Sequence, residues 1–465
     1  MFPYKKPPTA HRMAVLNEDG ATCTTEENET VALDALPETH RVWGEYDLMM
    51  RLWGDKKGEA LCWQNKPVRW RHRRYLNEDK WVPRHTDVRV LRLSFPEHEE
   101  ALPGFARWRD FLAARGAAPL GSMGQSSWSL LRSTLRRPLW TNVGDKPPVE
   151  FVIGGRQELL QSGTFYDVRH YDLPAAYASM LGHMRYGGHW ARVGVNYPYR
   201  IAAAKGVLCF VQAEVKVPDG IVGPLCARAD DPERPGMTWS NAATRYPVGD
   251  TITGCWTFEE VDAASDNGCE VQLHDVWIHL SDDNLYPFEP WWDAIQEARQ
   301  LPGFAGVLSK TMGNTLWGQF CVTPDAKREI KYWTGTRANP GTQRRPAPFS
   351  GQNINYSPDL AETLTGRVRA ALYRCMRQVG APLLFAHTDG LWTEGVVPSL
   401  PEIGWREKIK AHSIDVLMPQ LYRYYQRKGG EATYAVAGAP DSLAPAIFEA
   451  AWSGMSETDF GRRYG

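Results

Sequence analysis

Three short segments carry residue types suited to phosphoryl transfer. In YDLPAAYASM (171–180), Asp172 stands where a strand hands over to a helix, and Pro174 suits a first helical position. In KTMGNTLWGQF (310–320), Lys310, Asn314 and Trp317 fall at offsets of four and seven, on one helical face, and the flat Trp317 ring beside the small Gly318 suits the border of a nascent base pair. In LLFAHTDGLW (383–392), two apolar runs flank His387, Thr388, Asp389 and Gly390. Nucleotidyl transfer to a chain end asks for carboxylates around two divalent ions about 4 Å apart and a cation on the departing phosphates. Asp172, Asp389 and Lys310 supply that set, and Mg²⁺, a hard ion, prefers such oxygen ligands. Each segment alone has a plainer reading: Asp172 as a helix cap, Lys310 as a solvent-facing residue, Asp389 as the turn former of an Asp-Gly hairpin. Their occurrence together, in this order, favours the chemical one.

The elements that must position these residues follow from pattern. After Pro147 and Pro148 the chain predicts a Gly-Gly turn, a strand over 164–171 and a helix from Pro174, then strands over 206–217 and 269–279. A helical pattern runs from Pro290 to Trp317, broken near Pro302 and Gly303. Residues 334–352 read as a Pro/Gly/Arg loop and 357–378 as a capped amphipathic helix. Upstream, residues 1–40 are polar and weakly periodic and read as a mobile or loosely packed arm. Residues 41–137 mix arginine with tryptophan, including KPVRWRHRRY (66–75) and the helical FARWRDFLAARG (105–116). Such a mixture suits phosphate contact and base stacking, or else a solvated basic face.

Composition bounds the class. At 465 residues more than one domain is expected, and 43% hydrophobic with 23% charged residues is the balance of an ordinary globular protein. A net charge of −1 means that nucleic acid would be held by local basic patches. The eight cysteines (Cys23, Cys62, Cys209, Cys226, Cys255, Cys269, Cys321, Cys375) show no C-x-x-C pair and read as buried thiols in a reducing compartment. No signal-peptide pattern and no apolar run of about 18 residues is present, so an intracellular, soluble protein is expected, without a membrane partner.

The three segments resemble, in order, the polymerase motifs of family B DNA polymerases. YDLPAAYASM is similar to D-x-x-S-L-Y-P, KTMGNTLWG to K-x-x-x-N-S-x-Y-G, and FAHTDGLW to Y-x-D-T-D-S. Lesser features resemble the protein-primed branch of phages and linear plasmids. FVIGGRQE (151–158) is similar to its Y-x-G-G segment, residues 246–264 to a palm segment, and LYRYYQ with YAVAG to its K-x-Y motif and the following strand. The resemblance covers roughly 150–440. It implies that Asp172 and Asp389, with the Leu173 carbonyl, hold Mg²⁺, with Mn²⁺ as the alternative ion. It also implies that Arg299, Lys310, Asn314, Trp317 and Gly318 contact the incoming nucleotide, and that Tyr177 lies under its sugar and disfavours a 2′ hydroxyl. Gly154, Gly155 and Arg156, together with Arg423 and Tyr425, would contact DNA.

Departures matter as much. His387 replaces the less directly engaged first aspartate of D-T-D, and Gly390 replaces the serine, leaving His387 and Thr388 near the metals with unassigned roles. The lysine of K-x-Y is Arg423, and Ala175, Ala176 and Ala178 loosen the first motif. The family's proofreading D-x-E is absent from residues 1–150, where Glu45 and Asp47 give only the reverse order. The expected fold is therefore an α+β right hand: an arm (1–40), an N-terminal domain that is degenerate exonuclease-like or DNA-binding (41–150), palm (151–289 and 326–395), fingers (290–325) and thumb (396–465). The expected activity is template-directed DNA synthesis without proofreading, in a bacterial or phage-infected cytoplasm, with template, primer, dNTPs and a terminal or priming protein as partners. The alternatives are a primase-like or untemplated nucleotidyltransferase and a catalytically degenerate nucleic-acid binder.

Overall fold

The computed structural model describes residues 12–33, 35–36, 40–45, 48, 61–62, 69–70, 88–91, 95–120, 123–135, 145–149, 152–228, 244–280, 286–321, 329–333, 342–346, 357–397, 404–436 and 444–454. Helices and strands mix in two compact units, one of residues 1–135 with 290–356, the other of residues 136–289 with 357–465.

The first unit begins with a sheet where an arm is expected. β1 (Arg12–Leu16) pairs antiparallel with β2 (Thr22–Thr25), which pairs with β3 (Thr30–Ala32), and β1 runs parallel to β4 (His40–Glu45). Beyond β5 (Leu61–Cys62), β6 (Arg69–Trp70) and β7 (Val88–Leu91) extend the sheet to the order β3-β2-β1-β4-β7-β6. The expectation of an arm is thus corrected from Arg12 onward. Met13, Ala14, Val15 and Leu16 are all buried, and a strand covered on both faces carries no period-two signal to read. Of the basic run 66–75, all but Arg69 and Trp70 lie outside the described residues. α1 (His98–Ala113) starts seven residues before the predicted 105–116 segment and buries Ala101, Phe105, Trp108 and Leu112 at helical spacing, with the Phe105 ring stacked 5.3 Å from Trp43. α2 (Met123–Thr134) follows.

The second unit opens with β8 (Arg156–Leu159), β9 (Gly163–Asp172), α3 (Ala176–Gly182), β10 (His189–Val193), α4 (Tyr199–Ala204), β11 (Cys209–Lys216), β12 (Ala227–Arg228), β13 (Thr244–Arg245), β14 (Thr251–Thr257), α5 (Phe258–Ser265) and β15 (Glu270–Leu280). A four-stranded sheet, β10-β15-β11-β14, packs Val211, Ala213 and Val215 against α5, whose start is held by the Thr257/Glu260 capping box.

The chain then returns to the first unit through α6 (Glu289–Arg299), α7 (Phe304–Thr315) and α8 (Trp317–Phe320). The helices expected as fingers are grouped with the N-terminal residues. The Phe304 and Phe105 rings lie 5.3 Å apart, and Trp291 Nε1 donates to Ser127 Oγ at 3.2 Å. Thr342–Pro346, expected as loop, is a strand, β17, pairing with β16 (Glu329–Trp333); backbone pairing there overrides a Pro/Arg-rich composition.

The closing segment supplies α9 (Pro358–Gln378), β18 (Leu383–Thr388), β19 (Gly390–Glu394), β20 (Arg406–Met418), β21 (Leu421–Tyr425), β22 (Ala432–Val436) and α10 (Ala444–Gly454). Its strands join β8 and β9 in a seven-stranded sheet, β22-β21-β20-β9-β19-β18-β8. Residues expected as a separate thumb therefore complete the sheet that carries Asp172, because β20 pairs with β9 from Gly163 to Asp172. α9 covers that sheet with Val368, Leu372 and Cys375 against Tyr171, Leu173, Ala386 and Leu391.

Candidate active site

Asp172 and Asp389 are brought together by strand register. Gly390 stands opposite Asp172 across the antiparallel β19–β9 pair, and the Leu173 amide donates to the Asp389 carbonyl at 3.0 Å. Opposed residues of such a pair lie about 5 Å apart at Cα, so the two aspartates are immediate neighbours. The hairpin loop consists of Thr388 and Asp389, since His387 pairs with Gly390. The turn thus sits one residue earlier than the Asp-Gly pattern suggests, and Gly390 belongs to a strand.

Uncommon backbone stands next to Asp389 and three residues after Asp172. Thr388 has φ +57 and Ala175 φ +52, and neither is glycine; for a β-branched residue the left-handed region is an outlier. Such strain persists only where surrounding contacts enforce it, and it gathers at functional sites. Ala175 also explains why α3 starts at Ala176: Pro174 lies in a turn instead of the first helical position. Thr388 Oγ1 donates to Asp389 Oδ1 at 2.8 Å, fixing that carboxylate.

Gly390 has a packing reason to lack a side chain. A Cβ there would come within 2.6 Å of His170 Nε2 and 3.1 Å of the Tyr171 carbonyl. His170, two residues before Asp172, stacks on Trp392 with centroids 4.9 Å apart. Burial, reinforced by Lys408, pulls its pKa down to about 4. Burial likewise lowers the pKa of His387, again helped by Lys408 and opposed by Asp389, so both imidazoles are neutral near pH 7.

Two cations hold Asp172. Lys408 Nζ lies 2.9 Å from Oδ2 and Arg406 Nε 3.3 Å from Oδ1. Burial pushes the carboxyl upward, but these partners outweigh it and leave its pKa below the ordinary value. His170, Arg406 and Lys408 escape sequence reasoning. The signal for Arg406 and Lys408, the alternating basic residues of WREKIK (405–410), is the pattern of any solvated strand, and His170 is a lone histidine in a strand.

The Gly-Gly segment lies beside the same turn. A Cβ on Gly155 would collide with the Tyr177 hydroxyl and come within 2.9 Å of Thr388 Cα. Arg369 donates from Nη1 to the Ile153 carbonyl at 2.5 Å and the Gly154 carbonyl at 3.0 Å, and pairs with Glu260 (2.8 Å) and Glu362. Glu362 in turn accepts from the Ile153 amide at 2.6 Å. Arg156, expected on DNA, is corrected to an interior residue: it is 0% exposed, bonded to Glu158 and the Gly223 carbonyl, and lies 3.9 Å over the Tyr246 ring. In a dense αβ interior the apolar stem is covered, Nε and Nη2 find partners inside the protein, and Nη1 is buried without one.

Arg423, expected at the primer, donates to Asp415 at 2.6 Å, pairs with Glu449 and faces Phe448 at 5.0 Å, while Tyr425 ends β21 half-buried. In the other unit, Lys310 and Asn314 are exposed on α7, one turn apart. Trp317 opens α8, a separate short helix, although Leu316 between them keeps helical angles (φ −61, ψ −46). Nothing lies within 4 Å of a Cβ built on Gly318, and Arg299 ends α6 half-buried.

No family model matches this chain, and no curated protein matches it. Among solved structures it is similar to phi29 DNA polymerase complexed with primer–template DNA and incoming nucleotide, at TM-score 0.55 and 11% identity over 94% of each chain. It is similar at TM-score 0.52 and 11% identity, again over 94% of each chain, to the binary complex of that enzyme with primer–template DNA. An orthorhombic crystal form of the same enzyme matches at TM-score 0.52 and 13% identity, over 75% of this chain and 64% of that one. No helix among the described residues is long and apolar enough to cross a membrane. Identity this low carries the fold and nothing finer: the chain has a fold similar to that of phi29 DNA polymerase.

Proposed function

We propose that this chain is a template-directed DNA polymerase that transfers a deoxynucleoside monophosphate to a 3′ or protein hydroxyl. What carries the proposal is the placement of Asp389 in the turn beside Gly390, the cross-strand partner of Asp172, with a positive-φ threonine next to it, in a polymerase-like fold. The hydroxyl oxygen attacks the α-phosphorus, the α–β phosphoanhydride breaks, and pyrophosphate leaves. Divalent ions, when bound, would supply Lewis acidity and charge neutralisation.

The donors fit a hard ion: the Asp172 and Asp389 carboxylates and the Leu173 carbonyl are oxygens. His387, two residues before Asp389, would lie beside the ions without being an essential ligand, leaving the two carboxylates as the protein's share. This suits Mg²⁺, which usually takes one or two carboxylates plus substrate phosphates. Tyr177 packs beside Thr388 through Gly155 and would bear on the sugar. Lys310 and Asn314, exposed on α7, and the open space at Gly318 would serve the nucleotide.

The proposal includes the absence of proofreading. Asp19, just after β1, uses its carboxylate to accept from Ala21 N, Thr22 N and Thr22 Oγ1, at 2.7–2.9 Å, in a turn. Primer type, a priming protein and the use of Mn²⁺ are further parts of the same proposal. A binder without turnover is the second reading, favoured by the cations already on Asp172. Incubation with labelled dNTPs and Mg²⁺ or Mn²⁺, on primed and unprimed templates, tests it. Template-dependent extension supports the polymerase, unprimed or untemplated synthesis supports the primase-like alternative, and triphosphate binding without incorporation supports the binder.

A further inference from the structure

We infer that Lys408, with Arg406 beside it, is an exchangeable counter-ion of Asp172, which a divalent ion must displace to enter the site. The inference rests on the proposed metal role of Asp172. Both Asp172 oxygens are occupied, each by a different cation, Lys408 on Oδ2 and Arg406 on Oδ1. A divalent ion would compete with these two cations for the same oxygens, and like charges within a few ångströms of one another repel.

Register shows how this comes about. Arg406 is the cross-strand partner of Asp172, and the β20–β9 ladder slips between Glu407 and Ile409, leaving Lys408 as the unpaired residue of a bulge. A bulge re-aims one side chain out of the regular alternation, and here it delivers Lys408 to Asp172. The geometry singles out one lysine, since Lys410, two positions further, pairs with Arg169 instead.

The partners differ in freedom. The Asp172 side chain is 11% exposed, whereas those of Lys408 and Arg406 are 47% and 58% exposed. Water can therefore receive both cations on release. Arg369 and Arg156, sealed in the interior, have no such exit. The site thus carries its own monovalent occupant, which keeps Asp172 charged and oriented until a divalent ion replaces it.

Titration of the full-length chain with Mn²⁺, read by calorimetry or by the EPR signal of free Mn²⁺, tests this independently of turnover. Lys408→Gln should tighten Mn²⁺ binding roughly two- to fivefold, the size that a half-exposed ion pair commonly has. Lys410→Gln, an equal change of charge two residues away, should shift it much less. Unchanged or weaker binding in Lys408→Gln overturns the inference while leaving the metal role of Asp172 intact. Equal tightening by Lys410→Gln also overturns it, by revealing a general field effect. Wild-type Mn²⁺ binding indifferent to Asp172→Asn overturns both the inference and the metal site on which it rests.

Discussion

Replacing Arg369 by alanine removes from the buried centre of the second unit the cation that two carboxylates share. The guanidinium pairs with Glu260 and Glu362 and donates to two backbone carbonyls, and all three side chains are at most 3% exposed. Removing one member of a buried ion pair costs about 3–5 kcal/mol, because the remaining charge is left uncompensated. Here two carboxylates remain, together with the carbonyls of Ile153 and Gly154. Set against a typical stability of about 5–15 kcal/mol, that loss should lower the melting temperature by roughly 10 °C. Denaturant unfolding and calorimetry measure it directly. Arg369→Met combined with Glu260→Gln and Glu362→Gln should recover most of the loss, since neutral groups no longer need the cation. A cost under about 1 kcal/mol for Arg369→Ala, or a triple variant as unstable as the single one, would refute this account of how the Gly-Gly segment is held.

Further outcomes follow from the same site. Burial raises the Glu362 pKa to about 7, with Arg369 opposing, so the folded state keeps a proton that the unfolded chain releases near its ordinary value. The resulting stability is complete below that ordinary value and is lost as pH rises through about 7; Glu362→Gln should flatten the pH–stability curve, and an unchanged curve argues against it. Gly155→Ala should destabilise by about 1–3 kcal/mol through overpacking and raise the KM for dNTPs by moving Tyr177, with kinetics and melting read on the same preparation. His387→Asp should retain incorporation and move the preferred ion from Mn²⁺ towards Mg²⁺, by adding a hard oxygen beside Asp389. His387→Ala should be tolerated better than Asp389→Ala, and equal inactivity of the two in both ions would make His387 essential.

The β18–β19 hairpin is legible because LLFAHTDGLW carries turn chemistry between apolar strands, and 357–378 because its helix is long and periodic, whereas the sheet that the hairpin joins is not, since β20, β21 and β22 reach it from the segment expected as a thumb. The turn was misplaced by one residue because Thr388 accepts a positive φ that local rules assign to glycine. β1 was missed because RMAVL is buried on both faces. Arg156 and Arg423 were expected at DNA because a sequence shows charge but not the acidic and aromatic partners that enclose it. His170, Arg406 and Lys408 became visible only through strand register, which joins residues more than 200 positions apart.

Incorporation of labelled dNMP on a primed template, compared among wild type, Asp172→Asn and Asp389→Asn, tests the central claim most directly. The account predicts template-dependent extension by the wild-type chain and none by either variant, with melting temperatures close to the wild type, because asparagine keeps the size of aspartate and the cations on Asp172 are half-exposed and can turn to water. Extension that survives either substitution would contradict it.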